Sequence, residues 1–120
     1  MFDDEQGNEQ GAQPRTPTHL WLEAKIRELS VQGIGVYVTH KGEKMSGLVL
    51  LKLTNNAQEC KLLTQQRNFE TDALEWVNVF EDEIMEEKKA DEYIQRSITR
   101  DPDLWAVEIE SQQMNNPFED

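Results

Sequence analysis

The sequence predicts one α+β domain, with an antiparallel or mixed sheet of about five strands and two helices in the order α-β-β-β-β-α-β. Three observations predict this class. The chain has 120 residues, which is enough for a single core. One segment of helical apolar spacing precedes a block of four strand-like segments, and a second follows it. A last alternating segment comes after Pro102, which stops the second helix.

Residues 18–32 are predicted to form the first, amphipathic helix. Its apolar residues recur at helical spacing, at Leu22, Ile26 and Leu29. Thr16 can cap this helix with Pro17 at its first position, or Thr18 can cap it instead. Gly33 suits the left-handed position that ends a helix.

Four strands are predicted between the helices, at residues 34–39, 46–54, 60–67 and 73–80. The second is apolar on both faces, which is typical of a central strand, and we expect it to form a hairpin with the first. The second helix is predicted to open at Glu81 and to end by about Asp101. The last strand, residues 104–110, then places Trp105, Val107 and Ile109 on one side.

The predicted domain spans residues 16–111, between two tails that we expect to be disordered, 1–15 and 112–120. Both tails are rich in polar residues and have little to bury. The chain has one cysteine, Cys60, and no apolar run long enough to span a membrane. We therefore expect a soluble cytoplasmic protein with no disulfide and no membrane partner.

The net charge of −12 lies entirely in the second half of the chain. Residues 70–120 hold 16 of the 24 acids and only 4 of the 12 bases. Direct binding to a nucleic-acid backbone is not expected, because the phosphates would be repelled. A basic partner, or an acidic mimic of nucleic acid, stays open, although a solvated acidic surface is the simpler interpretation.

The segment Arg100-Asp101-Pro102-Asp103-Leu104-Trp105-Ala106-Val107-Glu108-Ile109-Glu110 resembles the closing motif of a small alphaproteobacterial family of unknown function. Two further features fit this family: Leu20-Trp21-Leu22 in a helix that leads through Gly33 into a strand, and the run from Gly47 to Leu53. The resemblance covers roughly residues 19–110. It implies one bacterial cytoplasmic domain with variable tails, and because the family's function is unknown, the resemblance implies nothing about activity.

The sequence contains no arrangement that predicts catalysis, a cofactor or a metal. Cys60 lies in a predicted strand without a paired base, and a free cysteine there is usually a small buried apolar residue. His19 and His40 show no spacing that suggests zinc. We therefore predict no catalytic residue, no cofactor and no metal ligand.

A ligand site, if there is one, is predicted around Lys52. Its amine lies inside an apolar run, where it needs an ion-pair partner or access to water. Arg67 and Glu108 become its neighbours if their strands pair with the second strand. His40 and Lys41 form a second candidate, because a glycine-containing turn with cations can hold a phosphate or carboxylate.

A partner surface is predicted from the apolar residues on both faces of the sheet. We expect the two helices to cover about one face, which leaves Tyr37, Leu50 and Trp76 for a protein partner or a second copy. The leading hypothesis is thus a non-enzymatic binding or adaptor domain. A small enzyme or ligand-binding protein that uses Lys52, Arg67 and a carboxylate is the alternative, and an acidic nucleic-acid mimic is the third.

Overall fold

The computed structural model describes residues 16–55 and 57–118. The helices are α1 (Thr18–Val31) and α2 (Glu87–Arg100), and the strands are β1 (Val36–His40), β2 (Val49–Thr54), β3 (Glu59–Arg67), β4 (Leu74–Asn78), β5 (Met85–Glu86) and β6 (Trp105–Glu110). The predicted α+β class and element order are confirmed. The sixth strand is the two-residue β5, which pairs with the start of β3. The tail predicted for residues 1–15 lies outside the described residues.

The sheet is mixed, and its strand order is β1-β6-β2-β3-β4. β6 is parallel to β2 and antiparallel to β1, so the predicted hairpin of the first two strands is wrong. The physical reason is burial: four of the six residues of β6 are buried, whereas the residues of β1 alternate between half-buried and exposed. The more apolar strand takes the central position and β1 becomes an edge.

Each face of the sheet carries one helix, so the expectation that both helices share a face is wrong. On the first face, Lys52 of β2 contacts two carboxylates of α2. On the opposite face, Leu51 of β2 pairs with Val107 of β6 and with Leu63 of β3. Trp76 of β4 lies on this face too, because it pairs with Gln65, two residues from Leu63. This second face lies under α1, where Trp21 and Trp76 both contact the ring of Phe118.

Helix α1 is held at both ends by backbone hydrogen bonds. At its start, the Thr18 and His19 N–H groups donate to the carbonyls of Met45 and Lys44, and neither predicted threonine cap forms. At its end, Gly33 has φ 82° and the Ile34 N–H donates to the Leu29 carbonyl, which is the expected glycine termination. Helix α2 begins at Glu87, later than predicted, because Met85 and Glu86 pair with β3 instead.

The turn between β1 and β2 packs against the start of β6. The Trp105 indole N–H donates to the Glu43 carbonyl at 2.8 Å, and the Glu43 N–H donates to the Asp103 carbonyl at 2.9 Å. A Cβ at Gly42 or Gly47 would overlap the Asp103 carbonyl oxygen. The closing motif of the sequence therefore has a structural role, because its hydrogen bonds fix the turn whose carbonyls bind the start of α1.

Part of the predicted C-terminal tail makes tertiary contacts. Met114 is buried in the core, and its N–H donates to the Ser111 carbonyl at 3.1 Å. Phe118 packs between two tryptophans. Polar composition did not reveal these contacts, because only two apolar side chains in residues 112–118 make them.

Candidate functional site

Lys52 lies at the centre of an ion-pair cluster that joins the sheet to α2. It is 4% exposed, and its Nζ lies 2.6 Å from Asp91 Oδ1, 2.8 Å from Glu87 Oε2 and 3.4 Å from Glu108 Oε1. The contact with Glu108 joins directly paired residues of β2 and β6, as the sequence suggested. The two helical carboxylates are one turn apart on α2, which brings both to the same amine.

The electrostatics of this cluster favour a charged, fully engaged amine. Burial by itself would lower the pKa of Lys52, but the hydrogen bonds that its ammonium donates to Asp91 and Glu87, and the charge of Glu108, together raise that pKa above its ordinary value. A Schiff-base or general-base lysine needs the opposite shift. The cluster therefore acts as a link between α2 and the sheet.

Cys60 lies on the same face of the sheet as Lys52 and is fully buried. Burial raises the pKa of its thiol to about 11, and the positive charge of Lys52 offsets this only in part. A thiol with such a pKa stays protonated at neutral pH and is a poor nucleophile. The geometry agrees with the structural role predicted for Cys60.

The other predicted ligand residues are not brought to Lys52. Arg67 lies at the far end of β3, five residues beyond the Leu62 that pairs with Lys52, and it forms an ion pair with Asp72 at 3.2 Å. His40 Nδ1 lies 2.8 Å from the Leu104 carbonyl oxygen, so this ring links the end of β1 to the residue that precedes β6. Lys41 is an exposed neighbour of His40 in the sequence.

A concavity with a largely apolar and aromatic lining lies between α1 and strands β3 and β4, and we call it the α1–β4 groove. Its large apolar and aromatic lining residues are Trp21, Met45, Leu48, Leu74, Trp76 and Phe118. The Phe118 ring centroid lies 6.1 Å from that of Trp21 and 6.0 Å from that of Trp76, edge to face in both cases.

Three aliphatic side chains at the groove remain substantially exposed. Met45 is 61% exposed, Leu48 43% and Leu74 40%. The charged side chains in the lining include Arg67 and Asp72, which pair with each other. The groove thus offers exposed apolar surface around an aromatic floor.

The three residues predicted for a partner surface do not share one face. Tyr37 and Leu50 are on the α2 side of the sheet, where Tyr37 is exposed and Leu50 is buried. Trp76 is on the α1 side and belongs to the groove. Sequence reasoning missed Phe118 because it interpreted residues 112–120 as a tail, although an aromatic residue in a polar segment was an available signal.

A second concavity lies along α2, and its lining is mainly charged. Carboxylates such as Glu86 and Glu92 alternate there with Lys88, Lys89 and Arg96. Within residues 16–55 and 57–118, no group of His, Cys, Asp and Glu side chains is arranged to hold a metal ion. Over the same ranges, no helix has the length and apolar character needed to cross a bilayer.

Comparison with known proteins gives the chain a family. The model of the family described as "Protein of unknown function (DUF1491)" matches residues 16–119. The chain belongs to the DUF1491 family. None of the curated proteins matches it.

Solved structures of relatives share the DUF1491 fold. A crystal structure of a DUF1491 family protein from Caulobacter crescentus CB15 has 27% identity and a TM-score of 0.72, over 82% of this chain and 90% of that chain. An NMR structure of a DUF1491 family protein from the same organism has 26% identity and a TM-score of 0.73, over 85% and 91%. A protein from A. tumefaciens, solved in solution, has 19% identity and a TM-score of 0.66, over 81% and 86%, and is similar in fold.

Proposed function

We propose that this DUF1491 domain is a binding module that holds a protein partner in the α1–β4 groove. The observation that supports this proposal is the exposed apolar rim around the aromatic floor. Exposed apolar side chains scattered singly are ordinary, but Met45, Leu48 and Leu74 line one concavity together with two tryptophans. Such a cluster is typical of an interaction site.

The chemistry of the groove also favours binding over catalysis. Aromatic side chains provide large apolar contact area at low entropic cost, and tryptophan is enriched at binding hot spots. The alternative of a small enzyme rests on Lys52 with Arg67, and these two residues are far apart and separately paired. The acidic-mimic alternative gains little support, because lysines and arginine interrupt the carboxylates along α2.

A matched pair of leucine substitutions tests the proposal. Leu74→Glu places a charge in the groove, whereas Leu20→Glu places the same charge at a similarly exposed leucine of α1, 49% exposed, that is not part of the groove lining. Tagged parent and variants are used to capture partners from the native cell, and bound proteins are quantified by mass spectrometry. We expect Leu74→Glu to lose the specific partner and Leu20→Glu to retain it.

Equal capture by both variants would place the binding surface elsewhere. Thermal melting of the three proteins serves as the folding control, because both substitutions replace an exposed leucine and should shift stability little. Sedimentation of the parent alone reports whether a second copy is the partner.

We also infer an alphaproteobacterial source and a cytoplasmic location. The resemblance of the closing motif, the single cysteine and the Caulobacter crescentus relatives support both. Fractionation of the native cell with an antibody to the domain tests the location, and recovery with the membrane or the periplasm would contradict it.

A further inference from the structure

Strand β4 presents an open edge directly beside the α1–β4 groove. It is the last strand of the sheet, and within residues 16–55 and 57–118 it pairs only with β3. The opposite edge strand, β1, shifts register between Val38 and His40, an irregularity of the kind that discourages further pairing. β4 contains no proline and no lysine, and its five residues pair with β3 in continuous register.

The direction of the free backbone groups follows from the hydrogen bonds at the two ends of β4. The Val79 N–H donates to the Leu62 carbonyl at 2.9 Å, and the Asn68 N–H donates to the Ala73 carbonyl at 2.8 Å. Bonded and non-bonded pairs alternate along an antiparallel ladder. The backbone groups of Glu75 and Val77 therefore point to β3, and those of the alternate residues point outward, at Leu74, Trp76 and Asn78.

These outward residues are also the ones whose side chains lie on the groove side of the sheet. Leu74 and Trp76 line the groove, and successive residues of a strand alternate between faces. An extended segment that paired with this edge would have every second side chain beside the same apolar surface. Phe69, in the turn that precedes β4, is 98% exposed.

The charge around the edge selects among possible occupants. Residues 68–87 contain eight acids and no lysine or arginine. Of these acids, Asp72 and Glu83 pair with Arg67 and Lys61 of β3, and Glu87 pairs with Lys52 of β2. The remaining acids keep the edge strongly negative. A second copy of the chain would bring an equally acidic edge against this one, and the first 15 residues, with four acids and one base, are also acidic.

We infer that the partner is a basic, extended segment of another protein that adds a strand to the outer edge of β4, with apolar side chains at alternate positions facing the groove. This inference rests on the proposed function and specifies its ligand class. Backbone hydrogen bonds to the edge supply affinity, and the alternate side chains supply specificity. Basic residues on the other positions complement the acidic surroundings and accelerate association.

The test uses the full chain and a panel of synthetic heptapeptides in which lysine alternates with valine, leucine or phenylalanine. Backbone amide exchange is followed by NMR with and without peptide. We expect the amides of Leu74, Trp76 and Asn78 to exchange rapidly in the free protein and slowly in the complex. The amides of Glu75 and Val77, already bonded to β3, should change little.

A matched pair of variants at Asn78 isolates the backbone contribution. Asn78→Pro removes an outward N–H group without removing a hydrogen bond to β3, and proline is tolerated at such a position of an edge strand. Asn78→Ala retains the outward N–H group. Loss of about one hydrogen bond should weaken peptide binding about tenfold in Asn78→Pro, while Asn78→Ala should stay within about twofold of the parent. Peptides with glutamate in place of lysine should not bind.

The outcomes separate the two proposals. Suppose that peptides bind and that Leu74→Glu lowers their affinity, but the outward amides stay unprotected and Asn78→Pro binds as tightly as Asn78→Ala. The groove then binds a partner without strand addition, and the inference is overturned. If no basic peptide of the panel binds at millimolar concentration while the glutamate peptides or a second copy do, the stated partner chemistry is wrong. If nothing in the panel binds, the inference is equally overturned, and the capture experiment with Leu74→Glu still judges the groove.

Discussion

Replacement of Trp105 by alanine removes the side chain that joins three parts of the fold. The indole is buried, it lies on the same face as Val107 and Ile109, and its N–H donates to the Glu43 carbonyl at 2.8 Å. In the same turn between β1 and β2, the carbonyls of Met45 and Lys44 accept hydrogen bonds from the first two N–H groups of α1. Loss of the ring therefore affects the core, the turn and the start of the helix together.

The expected cost follows from these contacts. Truncation of a buried tryptophan to alanine costs about 3–5 kcal/mol, and the lost hydrogen bond adds about 1 kcal/mol. A domain of this size has a free energy of unfolding of about 5–15 kcal/mol. At about 4–8 °C per kcal/mol, we expect the melting temperature to fall by about 15 °C or more, or the variant to be unfolded.

Urea unfolding followed by circular dichroism measures the loss, with two comparison variants. Trp105→Phe keeps an apolar ring and loses the hydrogen bond, so we expect a cost of about 1–2 kcal/mol. Trp76→Ala removes a half-buried ring at the groove and should cost less than Trp105→Ala while weakening partner binding. The reasoning is refuted if Trp105→Ala unfolds within about 1 kcal/mol of the parent, or if Trp76→Ala is the more damaging of the two.

Three further predictions concern the other features. Lys52→Met should lower the free energy of unfolding by about 2–3 kcal/mol, which is less than the loss of a fully buried ion pair because the carboxylate partners of Lys52 are partly exposed. Lys61→Met loses one weak ion pair and should cost less than about 0.5 kcal/mol. Equal costs for the two variants would contradict the structural role of the Lys52 cluster. Cys60 should react with a thiol reagent only as fast as the protein unfolds, and rapid labelling of the native protein would contradict its burial. Because burial raises the pKa of the Cys60 thiol to about 11, the stability that the neutral thiol contributes should be present below about pH 9 and be lost as the pH rises toward 11. This loss of stability should be absent in Cys60→Ala. Slow amide exchange at Met114 is expected from its burial, and exchange at the rate of an unstructured peptide would instead support the disorder predicted for residues 112–120.

Local signals in the sequence were sufficient to predict the first helix and the apolar side of the last strand. The spacing of Leu22, Ile26 and Leu29 and the glycine at position 33 fixed the first helix to within a residue, because these signals depend on neighbours along the chain. The alternation in residues 105–110 likewise determined which side of the last strand is apolar. Its pairing with β2 then brought Glu108 to Lys52, as the sequence suggested.

The strand order, the assignment of the two faces and the groove depend on contacts between segments that are distant in the sequence. β6 inserts between β1 and β2 because its burial is more complete, a comparison between segments about seventy residues apart that no local pattern contains. One helix lies on each face, and Trp76 and Tyr37 lie on opposite faces. The groove exists because α1, strands β3 and β4 and Phe118 lie close together in the fold. Its side chains are far apart in the sequence, so no local pattern indicates that they line one concavity.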